Sequence, residues 1–137
     1  MINFIIVTHG EFGAYLVEAA ESIVGRQADG VRVLSISARQ SVPEIRDRIK
    51  RALKDLRSRE GVILFTDMPG GTPVNLSFPL IKDAPGIEII SGLNLYMLVS
   101  AFSRREDTAL AELVEKVTAD GQRSIRDIRQ LFLAKAR

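Results

Sequence analysis

The sequence predicts an α/β fold, an open parallel sheet with helices on both faces. Three observations predict it. Short apolar runs alternate with segments whose apolar residues recur at helical spacing. The strand–helix units repeat about every 30 residues, the length of a βαβ crossover. The runs at 2–8 and 61–66 are continuously hydrophobic, as strands buried on both faces are.

The elements follow in order. Residues 2–8 read as the first strand. Phe12, Tyr15, Leu16, Ala19, Ala20 and Ile23 then form a one-sided helical stripe, closed by Gly25. Val31–Ile36 is a shorter, more alternating strand, expected nearer an edge. Ser41-Val42-Pro43-Glu44 is a capping box. Behind it Ile45, Ile49, Ala52, Leu53 and Leu56 line a helix expected to end near Arg59. Residues 61–66 are the most central strand. A helix is expected from Pro73 to Lys82, capped by Thr72 with Pro73 at the first helical position. Ile87–Ile90 is the fourth strand, Leu93 to about Arg104 a helix, and Asp107 the cap of another through Leu110, Leu113, Val114 and Val117. Residues 122–129 alternate weakly and fit a fifth strand or a helix. Four parallel strands in this regime suggest the flavodoxin-like order 2-1-3-4, which makes strands 1 and 3 neighbours.

Composition narrows the function. The 137 residues, 46% hydrophobic, suit a single domain over 1–137 with a sizeable core. No apolar run approaches the roughly 20 residues a membrane span needs. The chain enters a strand at once, with no basic leader, so a cytoplasmic location is expected. It has no cysteine and one histidine, which excludes disulfides, thiolate chemistry and a conventional zinc site. Neither a metal nor a cofactor is expected. The net charge is +2, but residues 44–60 carry seven basic side chains against four acidic, and residues 122–137 five against one. A solvated helix face and a basic tail are the plainer account; docking of an acidic partner or nucleic acid is the sharper one. No aromatic residue lies among the charges of 44–60 and only Phe132 among those of 122–137, so nucleic acid is not an expected partner.

The chemistry gathers at two strand ends. The single histidine, His9, follows strand 1, and Asp67 follows strand 3. With strands 1 and 3 adjacent, both face the crevice where open α/β sheets build their sites. A carboxylate beside an imidazole fixes its tautomer and leaves the other ring nitrogen for attack or phosphoryl carriage. The plain alternative is a solvated loop histidine and an aspartate helix cap. After Asp67 comes Met68-Pro69-Gly70-Gly71-Thr72-Pro73-Val74-Asn75, a glycine loop running into a helix N-terminus. Free amides and the positive dipole end make that an anion site. Gly70, Gly71 and Thr72 are the candidate phosphoryl-binding residues; the plain alternative is a turn that needs glycine for geometry. There is no Walker loop, no dinucleotide fingerprint and no nucleophile elbow. Strand 1 ends without the acidic pair of an aspartate-phosphorylated receiver. A flavin sandwich has few aromatic candidates beyond Phe12 and Tyr96.

Three segments carry a resemblance: Thr8-His9-Gly10-Glu11-Phe12, Thr66 to Asn75, and Ser91-Gly92-Leu93-Asn94-Leu95-Tyr96-Met97-Leu98. In order and spacing they resemble the motifs of the mannose-family enzyme IIA proteins of the bacterial phosphoenolpyruvate-dependent sugar phosphotransferase system. The likeness runs from residue 2 to about 128. It implies that His9 takes a phosphoryl group from the phosphocarrier HPr and passes it to a IIB component. It also implies that Asp67 bonds Nδ1 while Nε2 carries phosphate, with Gly71 and Thr72 on the phosphoryl oxygens. It implies a homodimer, with residues 122–128 as a strand exchanged antiparallel between subunits, and membrane contact only through IIC and IID. Pro69 and Thr72 stand where the family has an aromatic residue and serine, and Tyr96 where it has proline. No fused IIB domain is expected. Two alternatives stand beside transport: a stand-alone regulatory phosphoprotein, and the phosphotransfer subunit of dihydroxyacetone kinase.

Overall fold

The computed structural model describes residues 1–135; Arg137, counted in the basic tail, lies outside the described residues. Four strands, β1 (Asn3–His9), β2 (Val31–Ile36), β3 (Val62–Thr66) and β4 (Ile87–Ser91), form one sheet. Its order is β2-β1-β3-β4 and every pairing is parallel. The expected topology is therefore the observed one, and β1 lies against β3 with Val7 opposite Thr66. Among the described residues six helices accompany the sheet: α1 (Phe12–Val24), α2 (Val42–Leu56), α3 (Thr72–Ile81), α4 (Leu95–Arg104), α5 (Leu110–Arg123) and α6 (Ile128–Lys135).

The pleat sorts the core into two layers. Phe4, Ile6, Ile63 and Phe65 pack with Val17 and Ala20 of α1, Leu98 and Phe102 of α4, and Leu113 and Val117 of α5. Ile5, Val7, Val62 and Leu64 face the other way, onto Ile45, Ile49 and Leu53 of α2 and Ile81 of α3. Both faces of β1 and β3 are thus dry, which is why their sequences read as unbroken apolar runs. Each buried Ile, Leu or Phe contributes about 1.5–3 kcal/mol relative to exposure. Phe4 is the hub of one layer, its ring 5.7 Å from those of Phe65 and Phe102.

Local signals set several helix ends. The Ser41–Glu44 capping box forms reciprocally, and Gly25 ends α1 at φ 101°, its N–H donating to Glu21 O. Elsewhere local turns and contacts beyond the helix move the boundary. α2 stops at Leu56 rather than Arg59, because Ser58 and Gly61 close a turn through both hydroxyl and carbonyl bonds. α3 is capped by Gly71, not Thr72, and Thr72 is its first residue. Leu93 is drawn onto β3, its N–H donating to Thr66 O, so Asn94 caps α4 instead. α5 begins after Ala109 and not behind Asp107, whose N–H closes a turn on Arg104 O.

The fifth strand expected over 122–128 is not formed. α5 runs through Arg123, and the Asn94 side-chain amide holds Gly121 O and Ser124 Oγ. Asp127 Oδ1 then accepts from the Gln130 N–H and opens α6. A strand needs a neighbour to complete its ladder, and among the described residues of one chain none lies beside this segment. Ile125 is 82% exposed and α6 buries none of its residues. Among the described residues no helix is long and apolar enough to cross a membrane.

Candidate functional site

Strand β1 stays buried from Phe4 through Thr8 and then releases one exposed residue, His9, at the carboxyl edge of the sheet. The chain turns at once. Gly10 sits at φ 57°, in the left-handed region, and its N–H donates to Ile36 O on β2 at 2.8 Å. Thr8, fully buried, accepts the Gly13 N–H on Oγ1 at 2.8 Å. A side chain on Gly13 would lie 2.8 Å from Ile6 and 2.9 Å from that same hydroxyl, so α1 can begin here only on glycine. Thr8 and Gly10 belong to the first motif segment, which assigns them no role of their own, and Gly13 lies just outside it. Its signal in the sequence is a glycine at the start of a helix that must lie flat on a strand.

Asp67 follows β3 directly and takes three bonds. Oδ2 accepts the His9 backbone N–H at 2.9 Å and meets His9 Nδ1 at 2.7 Å. Oδ1 accepts the Met68 N–H at 3.0 Å. Partial burial pushes the carboxyl pKa up, but the bonds from the His9 backbone and ring, with the ring's charge, outweigh it and hold it below its ordinary value. An ionised carboxylate only accepts, so Nδ1 must be the nitrogen that carries hydrogen. In the neutral ring this leaves the lone pair on Nε2. No described protein group bonds Nε2, and the His9 side chain is 50% exposed against 15% for Asp67.

The glycine pair divides into two roles. Gly71 has an extended backbone, φ −92° and ψ 174°, that any residue adopts. It is glycine for space: a Cβ would lie 2.9 Å from His9 Cε1, 3.3 Å from Met68 and 3.4 Å from Pro73. A Cβ on Gly70 would meet nothing within 4 Å. Cε1 lies between the two ring nitrogens, so the start of α3 stands beside Nε2 too. The first backbone bond of α3 is Asn75 N–H to Gly71 O. The N–H groups of Thr72 and Val74 precede it and lack intrahelical partners. The structure thus brings together His9, Asp67 and Gly71. Gly70 precedes Gly71 in the loop and Thr72 follows it as the first residue of α3.

The site is an edge and not a deep cavity. A cleft of about 480 Å³ lies away from it, lined by Ile23, Leu95, Tyr96, Val99 and Ser124. Phe12 and Met68, close in sequence to His9 and Asp67, are large and about half exposed. Among the described residues no three His, Cys, Asp or Glu side chains gather where a metal ion could sit.

Topology and site define the class first: an α/β protein of flavodoxin-like order whose carboxyl edge presents a carboxylate-oriented histidine beside a helix N-terminus. Residues 3–118 match the family model EIIA-man, described as the PTS system fructose IIA component, and the chain belongs to that family. It is a phosphotransfer component of the sugar phosphotransferase system, whose EIIA proteins are phosphotransferases in general. It is 29% identical over 126 residues to the fructose-specific EIIA component of Bacillus subtilis, covering 92% of this chain and 86% of that one. It is 26% identical to the mannose-specific EIIAB component of Escherichia coli over 98% of its own length, but spans only 42% of that protein. Among solved structures it resembles a phosphotransferase component EIIA from Streptococcus agalactiae, with a TM-score of 0.83 and 33% identity over 95% of this chain and 99% of that one. A IIA protein associated with the fucose utilization operon of Streptococcus pneumoniae superposes with a TM-score of 0.87 at 25% identity, over 96% of each chain.

Proposed function

We propose that His9 is the phosphoryl carrier, accepting from phospho-HPr and donating to a IIB component. The observation that carries this is the Nδ1–Oδ2 bond of 2.7 Å, with the unbonded Nε2 beside the start of α3. The Nε2 lone pair attacks phosphorus. The bond between phosphorus and the donor's carrier atom breaks, and that group leaves with the electron pair. His9 then bears substituents on both nitrogens and a positive charge, which Asp67 offsets through the bond already in place. The amides of Gly71 and Thr72 and the positive end of α3 suit the phosphoryl oxygens. Transfer to IIB is the same step with His9 as leaving group. An exposed histidine, with the exposed Phe12 and Met68 close in sequence to it and to Asp67, suits docking of another protein better than enclosure of a free sugar.

The test is incubation with phosphoenolpyruvate, enzyme I and HPr, followed by intact mass. One acid-labile phosphoryl group per chain is expected, and none on His9→Ala. Labelling of that variant would overturn the assignment. We also propose that the chain dimerises through residues 124–135, which expose Ile125, Phe132 and Leu133. Light scattering should give twice the chain mass, and a stable monomer at micromolar concentration would rule this out.

A further inference from the structure

At the amino-terminal edge of the sheet, far from His9, the last turns of α2 and α3 leave a cleft of about 300 Å³. Leu53, Leu80, Ala84 and Ile87 line it with apolar surface, and Lys50, Lys54 and Arg57 line it with charge. Ile87 opens β4, whereas His9 closes β1, so the two places lie at opposite ends of the strands. Arg46, Lys50, Lys54 and Arg57 recur at i, i+4, i+8 and i+11, one stripe about 16 Å long. All four are exposed, and none has a carboxylate partner among the described residues. Two nearby cations are otherwise used: Arg32 of β2 pairs Asp55 of α2, and Arg48 of α2 donates to Ser35 O.

We propose that this cleft docks an acidic, amphipathic helix of a partner protein, independently of phosphoryl transfer at His9. The charge asks for carboxylates along about three turns, and the floor asks for apolar side chains between them. The combination disfavours other polyanions. No aromatic side chain lines the cleft to stack a base. A recessed apolar floor behind a basic rim does not match a flat lipid surface, whose headgroups would meet the rim alone. Docking at this end leaves His9 open, so a partner here can be bound while phosphate enters and leaves.

The experiment maps backbone amide shifts of the full chain on titration with a synthetic helical peptide bearing leucine on one face and glutamate on the other. Saturable shifts should cluster at Leu53, Arg57, Leu80, Ala84 and Ile87 and weaken as salt rises. Lys54→Glu and Arg57→Glu, both at exposed positions, should each weaken binding about tenfold while His9 is still phosphorylated normally. His9→Ala should bind the peptide as the parent does, which separates this proposal from the carrier role. The idea fails if those amides do not move. It fails equally if a peptide with serine for leucine binds as well, or if single-stranded RNA or anionic vesicles occupy the site and the peptide does not.

Discussion

The two edges of the sheet each hold a nitrogen-rich side chain against oxygen acceptors, and they use it in opposite ways. At the amino-terminal edge Arg105 is 3% exposed. All five of its N–H donors are engaged, with Ile2 O, Asp29 O, Gly30 O, Gln27 Oε1 and Asn3 Oδ1. Its guanidinium also lies 4.9 Å over the Phe4 ring. Burial pulls its pKa down, while Glu106 and Asp29 push it up. At the carboxyl edge His9 is half exposed and has one ring nitrogen bonded and one bare. The difference follows from what each edge offers. Chain entering strands from below presents fixed carbonyls, which a fully bonded cation ties together. Chain leaving strands runs into helix N-termini, which offer N–H groups and positive potential to an anion. Stability is built where every donor is met, and reactivity where one atom is left over.

Breaking the lower edge should have the largest effect. Arg105→Ala strands those acceptors in a dry site and removes the tie between residues 2–3, 27–30 and the α4–α5 turn. A loss of about 3 kcal/mol or more is expected, read from urea denaturation. The protein that remains folded should still be phosphorylated. A change below about 1 kcal/mol would mean that water replaces the guanidinium without strain.

The upper edge should respond in rate rather than stability. Asp67→Asn keeps the shape, but its amide can present N–H to Nδ1 and drive hydrogen onto Nε2, the wrong tautomer for attack. Phosphoryl transfer should slow by about 10²-fold or more, with little change in denaturation midpoint. Transfer at the parent rate would remove Asp67 from the mechanism.

The two glycines sharpen the comparison within one loop. Gly71→Ala forces the imidazole to shift by a few tenths of an ångström, and a slowing of about tenfold is expected. Gly70→Ala meets open space and should stay within about twofold of the parent unless the partner approaches closely there. Equal effects from both would show that the steric wall behind His9 is not what the loop supplies.

The smallest expected effect is acid sensitivity. Asp67 has a folded pKa below its unfolded value near 3.8, so its bonds favour the native state above that pH. The contribution is lost as pH falls from 3.8 through the lower folded pKa. Stability measured across that window should fall less for Asp67→Asn than for the parent. Parallel curves would mean that the carboxylate gains nothing on folding.

Much of this molecule was written locally. The apolar runs at 2–8 and 61–66 mark β1 and β3 because both faces of those strands are dry. Val31–Ile36 matches β2 residue for residue, and the Ser41–Glu44 box and Gly25 announce helix ends within one turn of themselves. His9 and Asp67 stood out as lone titratable residues at strand ends, and the glycine loop as a helix start. The rest lies in contacts between residues far apart in the chain. Arg105 sits in Arg104-Arg105-Glu106-Asp107, which reads as a solvated charged turn; only packing shows it buried, bonded to residues about a hundred positions earlier. Thr72 and Asp107 are good caps by residue type, yet Gly71 and Ala109 hold those places: Gly71 stands against the His9 ring, and Asp107 is taken up by a turn on Arg104. Residues 122–128 carry a weak strand pattern, but a strand exists only with a partner to complete its hydrogen bonds, and Asn94 and Asp127 turn the segment toward helix instead. Local periodicity and capping chose the elements. Tertiary contact, which joins His9 to a carboxylate 58 residues away and sets Gly71 against its ring, decided what they do together.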